Sequence, residues 1–102
     1  MIKVNIKNRN GNVYEIVVKG HAGYDDFGKD IVCAAVSTMM ITAVNNIISL
    51  DDSIDYVEND GLLRVTIKKE TEMNQKILNN VIMMLEDLKN QYPKNIEIRN
   101  EV

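Results

Sequence analysis

Two turn signals, Asn10-Gly11 and Asn59-Asp60-Gly61, each join two runs rich in β-branched and other apolar residues, and each pair of runs is followed by an apolar stripe at helical spacing. That recurrence restricts the fold more than any other feature of the chain. Ile2, Val4 and Ile6 alternate with polar residues on one face of a first strand, and residues 13–18 supply a second, so residues 1–18 read as a hairpin ending at Lys19-Gly20. Residues 54–58 and 62–68 form the second hairpin, with Leu63, Val65 and Ile67 on one face.

Between the hairpins, Cys33, Val36, Met40, Ala43, Val44 and Ile47 recur at helical spacing, and Ala34, Ala35, Met39 and Ile41 widen the apolar surface. The pattern predicts a buried helix over residues 30–48, with Asp30 as its N-terminal cap and Cys33 in its first turn. Ile77, Leu78, Val81, Leu85 and Leu88 mark a second, amphipathic helix that Pro93 closes before a short strand around Ile96 and Ile98. The order is ββαββαβ. An α+β two-layer domain follows, an antiparallel or mixed sheet with two helices on one face, and 102 residues make one domain, 1–102.

A net charge of -3 argues against direct nucleic-acid binding, which needs a basic face. No apolar run reaches the roughly 20 residues of a membrane span, and residues 1–7 alternate instead of forming a secretion signal, so the expected setting is the cytoplasm. One cysteine excludes an internal disulfide, and one Cys with one His cannot build a four-ligand zinc site. Neither a metal nor a cofactor is called for, since phosphate-binding loops, dinucleotide fingerprints and His-Glu-x-x-His are lacking. Met39-Met40 and Met83-Met84 read as core or dimer-face filler, and Lys68-Lys69-Glu70 as a solvated strand end.

The chemistry narrows to Cys33. A thiol is a strong nucleophile only as thiolate, and the ordinary cysteine pKa of about 8.5 leaves little thiolate at neutral pH. A helix N-terminus and a nearby imidazole both favour the anion. His21 precedes Cys33 across a stretch with three glycines, two aromatics and three aspartates, residues 20–30, which lacks regular periodicity and is expected to be mobile. Cys33 is then either a buried structural residue or a nucleophile, and His21 either a solvated loop side chain or its base. Gly20 and Gly23 bracket His21 with backbone suited to a close approach by an extended ligand. Asp30 has two available tasks, capping the helix or orienting His21. Ser37, one turn beyond Cys33, can bond a backbone carbonyl or line a site. The N–H groups of Cys33 and Ala34 are candidate oxyanion donors.

The run Gly20-His21-Ala22-Gly23, followed by Gly28-Lys29-Asp30-Ile31-Val32-Cys33-Ala34-Ala35-Val36-Ser37, resembles the signature of the ribosomal-processing cysteine protease family, Prp. This resemblance implies a homodimeric cysteine endopeptidase that removes an N-terminal extension from a bacterial large-subunit ribosomal protein, with Cys33 and His21 as the dyad. It also implies that residues 22–32 form a flexible loop closing on a peptide with aromatic residues before the cut and small, then basic, residues after it. Within that loop Tyr24 and Phe27 are expected to meet the aromatics, Asp25 and Asp26 to attract the basic residues, and Gly28 to complete the substrate loop with Gly20, Ala22 and Gly23. The competing readings are a non-enzymatic, ribosome-associated peptide-binding dimer and a redox-active single-thiol protein.

Overall fold

The structure, a computed structural model, describes residues 1–26 and 30–102. Strands β1 (Ile2–Arg9) and β2 (Asn12–Lys19) form the first hairpin, and helix α1 (Ile31–Leu50) follows. Strands β3 (Ile54–Asn59) and β4 (Leu62–Ile67) form the second, before helix α2 (Glu72–Gln91) and strand β5 (Ile96–Glu101). The expected ββαββαβ order is therefore borne out, and the sheet is mixed. Its strand order is β3-β4-β2-β1-β5, antiparallel throughout except where β5 lies parallel to β1.

The first turn is tight because Asn10 (φ 53) and Gly11 (φ 81) both adopt the left-handed conformation that a two-residue hairpin connection requires. One irregularity lies beyond the reach of the alternation rule. Lys7 pairs with Glu15 but Asn8 pairs with Val13, so Tyr14 is an extra residue in β2. That bulge lets Val13 and Ile16, three positions apart, both enter the core.

Antiparallel pairing makes β3 run parallel to β2, and β5 run parallel to β4. Helices α1 and α2 are thus the two crossover connections, and they bury their apolar faces on the same side of the sheet. Ile2, Val4, Ile6, Ile16, Val18, Val65 and Ile96 meet Val32, Val36, Met40, Val44, Ile47, Leu78, Val81 and Leu85 in one core cluster. Each such side chain contributes about 1.5–3 kcal/mol by leaving water.

Helix α1 corrects one sequence expectation. It has 20 residues and a mean hydropathy of 1.8 over its most apolar stretch, long and apolar enough to cross a membrane by length and composition. Scattered Ser, Thr and Asn residues hide this when only unbroken apolar runs are sought. Core packing accounts for much of the character, because Val32, Val36, Met40, Ala43, Val44 and Ile47 are buried. Ile31, Ile48 and Leu50 remain exposed.

The end of β2, the start of β4 and the end of α2 converge where α1 begins. Gly20 leaves β2 with φ 89, and a Cβ there would stand 2.7 Å from the Met1 carbonyl oxygen, so this close approach requires glycine. The Gly20 N–H donates to the Gly61 carbonyl at 2.9 Å, tying the end of β2 to the β3–β4 turn.

Candidate active site

Asp30 sits in extended backbone (φ -77, ψ 101) immediately before α1, and its Oδ1 accepts the N–H groups of Val32 and Cys33, each at 3.0 Å. Its Oδ2 accepts the Tyr24 N–H at 3.0 Å. Both carboxylate oxygens accept backbone donors, and Asp30 caps the helix, the first of the two tasks considered for it. Burial alone would raise the Asp30 pKa. The N–H donors of Cys33, Tyr24, Asp25 and Val32 outweigh that effect and hold it below the ordinary value of 3.8.

The cap fixes Cys33 as the third residue of α1, half-buried. Its thiol and His21 line the same groove, a cavity of about 660 Å³. One wall is α1, with Cys33, Val36, Ser37, Met40 and Ile41, and the other is residues 58–63 of the second hairpin. Ile2, Val18 and Gly20 complete it. The imidazole stands at the turn of that hairpin: a Cβ on Gly61 would lie 3.7 Å from His21 Nε2. Ser37 is exposed and faces the groove, which fits the lining task considered for it.

The segment between His21 and α1 is anchored at several points. Ala22 is 2% exposed, and its N–H donates to Cys33 Sγ at 3.1 Å. Its carbonyl accepts from Asn95 Nδ2 at 3.0 Å. Gly23 follows with φ 68, turning the chain outward. The Tyr24 ring packs edge-on against Tyr92, with centroids 5.3 Å apart and planes at 86°. Asp25 and Asp26 are exposed, and the Asp26 N–H donates to Asp25 Oδ1 at 2.7 Å. Phe27 and Gly28, expected in the substrate loop, lie outside the described residues.

Two sets of candidate residues carry contacts that the sequence did not show. The N–H groups of Cys33 and Ala34, candidates for an oxyanion site, donate within the helix cap, to Asp30 Oδ1 at 3.0 Å and to the Asp30 carbonyl at 3.1 Å. A donor that does reach the sulfur is Ala22 N–H. The tyrosine expected at the substrate, Tyr24, rests on Tyr92, while an apolar surface in the groove comes from Ile41 and Leu62. Sequence reasoning missed the groove wall at residues 58–63, and also Tyr92 and Asn95. The wall had one visible signal, the Asn59-Asp60-Gly61 turn; the other two had none, because their partners are distant in sequence.

The chain matches the sequence profile of a family described as "Cysteine protease Prp" over residues 1–97. It is 34% identical over 103 residues to the ribosomal processing cysteine protease Prp of Mycoplasma genitalium, covering 99% of this chain and 97% of that one. To the protein of the same name from Staphylococcus aureus (strain Mu50) it is 32% identical over 103 residues, covering 96% and 97% respectively. Its fold superposes with a TM-score of 0.91, at 30% identity and over 99% of this chain and 100% of that one, on the crystal structure of an essential ribosomal processing protease Prp from S. aureus in complex with a covalently linked product peptide. With a profile match running over residues 1–97 and relatives aligned nearly end to end, the chain belongs to the Prp family of ribosomal processing cysteine proteases.

Proposed function

We propose that this protein is a cysteine endopeptidase that removes the N-terminal extension of a bacterial large-subunit ribosomal protein, with Cys33 as nucleophile and His21 as base. The observation that carries this reading is the presence of Cys33 and His21 in one groove, the thiol sitting in the first turn of α1. The product peptide covalently linked to the S. aureus relative supports a covalent route.

In the proposed reaction the Cys33 proton passes to His21 as Sγ bonds to the scissile carbonyl carbon, placing negative charge on its oxygen. Collapse breaks the C–N bond, and imidazolium gives its proton to the departing amine, which becomes the new N-terminus of the ribosomal protein. Water then attacks the thioester, losing a proton to His21, and the thiol returns as the extension leaves with a free carboxylate. The partial positive charge at the start of α1 favours the anionic sulfur. Ile41 and Leu62, both half-buried, offer an apolar surface to the peptide on the way in.

The proposal includes action as one domain, in the cytoplasm, and as a homodimer. Mass spectrometry of the host's extended ribosomal protein, incubated with the parent and with Cys33→Ala, tests reaction, residue and cut site together. The parent is expected to release the extension and Cys33→Ala to release none. Equal cleavage by both overturns the assignment of the nucleophile. Peroxide consumption without cleavage would favour the redox reading, and peptide binding without turnover in the parent would favour the peptide-binding dimer.

A further inference from the structure

Ala22 is held on both sides of its Cα. Its N–H is 3.1 Å from Cys33 Sγ, and its carbonyl oxygen is 3.0 Å from Asn95 Nδ2. These two groups lie in successive peptide planes that meet at the Ala22 Cα, and the Ala22 methyl is buried as well, so pinning the carbonyl plane and the side chain leaves the preceding plane, with its N–H, little room to turn. Ala22 also directly follows His21, so its placement constrains where the imidazole can stand. Asn95 is itself well anchored: its N–H donates to the Tyr92 carbonyl at 3.0 Å, and its carbonyl accepts the Ile2 N–H at 2.9 Å.

We infer that Asn95 is a positioning residue of the active site, acting through the Ala22 carbonyl to fix the Ala22 Cα, and so to keep the N–H of the His21–Ala22 peptide on the Cys33 sulfur and to hold His21 on the groove. This rests on the proposed roles of Cys33 and His21. Asn95 does not line the groove among the described residues, so its effect belongs to the chemical step more than to peptide affinity. The geometry also gives the donor a second use. As Sγ bonds to a carbonyl carbon, the negative charge grows on an oxygen attached to that carbon, next to the atom Ala22 N–H already faces.

The test uses Asn95→Asp, which keeps the shape but turns a carboxylate oxygen toward the Ala22 carbonyl, and Asn95→Ala, which removes the contact. Neither touches the backbone bonds to Tyr92 and Ile2. Steady-state cleavage of a peptide spanning the extension junction is expected to show kcat lowered on the order of tenfold in both variants, with KM within about twofold, because a small misplacement of reacting groups is costly. Amide hydrogen exchange read by NMR is expected to quicken at Ala22 in both, and also in Cys33→Ala, while the amides of Val32 and Cys33 keep the parent's rate in both Asn95 variants.

Unchanged kcat in either Asn95 variant overturns the inference, as does a loss of kcat in which the Val32 and Cys33 amides also exchange faster, since that reports general loosening. A parent that cleaves nothing refutes the proposed reaction and, with it, the catalytic half of the inference. In that case Ala22 exchange still decides the structural half: faster exchange in the Asn95 variants upholds the clamp, and an unchanged rate refutes it.

Discussion

Asp30 shows how one short side chain can couple stability, helix geometry and the approach to the thiol. It accepts from Val32 and Cys33 within α1 and from Tyr24 across the preceding segment, so its charge serves both sides of the junction. Its folded pKa lies below 3.8, because backbone donors outweigh the raising effect of burial. The sign of the linkage follows: the contribution is present above the unfolded pKa and is lost as pH falls through the lower folded value. Asp30→Asn keeps a cap-competent oxygen but cannot carry this charge. Urea unfolding from pH 7 down to about pH 2 is expected to show a gap between parent and variant that closes below about pH 4. A gap that stays constant with pH would assign the difference to shape alone. The sequence disclosed this residue's place, since an Asp before an apolar helical stripe is a start signal; it could not disclose that Oδ2 holds Tyr24, a contact made across an irregular segment.

Among the elements, the two hairpins and both helical stripes were legible because their periodicity is local. The cap of α2 was not. A capping box is sought as Ser or Thr followed three residues later by Glu or Gln, and here the later position is Asn74. Thr71 Oγ1 accepts the Asn74 N–H at 3.0 Å, and Asn74 Oδ1 accepts the Thr71 N–H at 3.1 Å. Asn74, 1% exposed, also donates to Ser53 Oγ at 3.0 Å and to the Lys69 carbonyl at 2.9 Å, so it joins the helix start to the chain entering β3. The two residues of the box should therefore differ in worth. Thr71→Ala is expected to cost about 1 kcal/mol, the usual loss of a cap. Asn74→Ala removes a buried amide with four partners, Gln75 Nε2 at 3.4 Å among them, and is expected to cost about 2–4 kcal/mol, with Ser53 left unsatisfied. Denaturant unfolding of the two variants gives the order, and equal losses would show that the Ser53 and Lys69 bonds add nothing to the cap.

At the scale of the whole molecule, α2 spans the distance between the two ends of the sheet, about 30 Å for 20 residues. Its C-terminal end delivers Tyr92 and then Asn95 to the site, with Asn95 and Ala22 73 positions apart in sequence. Its first turn carries Gln75 to the opposite end, where the bulge at Tyr14 interrupts the β1–β2 pairing. There the Val13 N–H donates to Gln75 Oε1 and Gln75 Nε2 donates to the Val13 carbonyl, both at 2.9 Å, across 62 positions. The side-chain amide thus answers both backbone groups of a buried residue. Such distant pairings carry no local period, which explains why the run from Gly20 to Ser37 exposed the dyad candidates while the scaffold behind them stayed hidden. The separation of ends yields a test of how the molecule divides its work. Gln75→Ala strands the N–H and carbonyl of Val13 and is expected to destabilise the fold by about 2–4 kcal/mol, with faster amide exchange at Val13. Because Val13 is the second residue of β2 and the groove lies beyond the strand's far end at Gly20, kcat for the junction peptide is expected to stay within about twofold of the parent at temperatures where the variant is folded. A parallel fall in kcat would mean that the bulge end and the groove move as one body, linked by the length of α2.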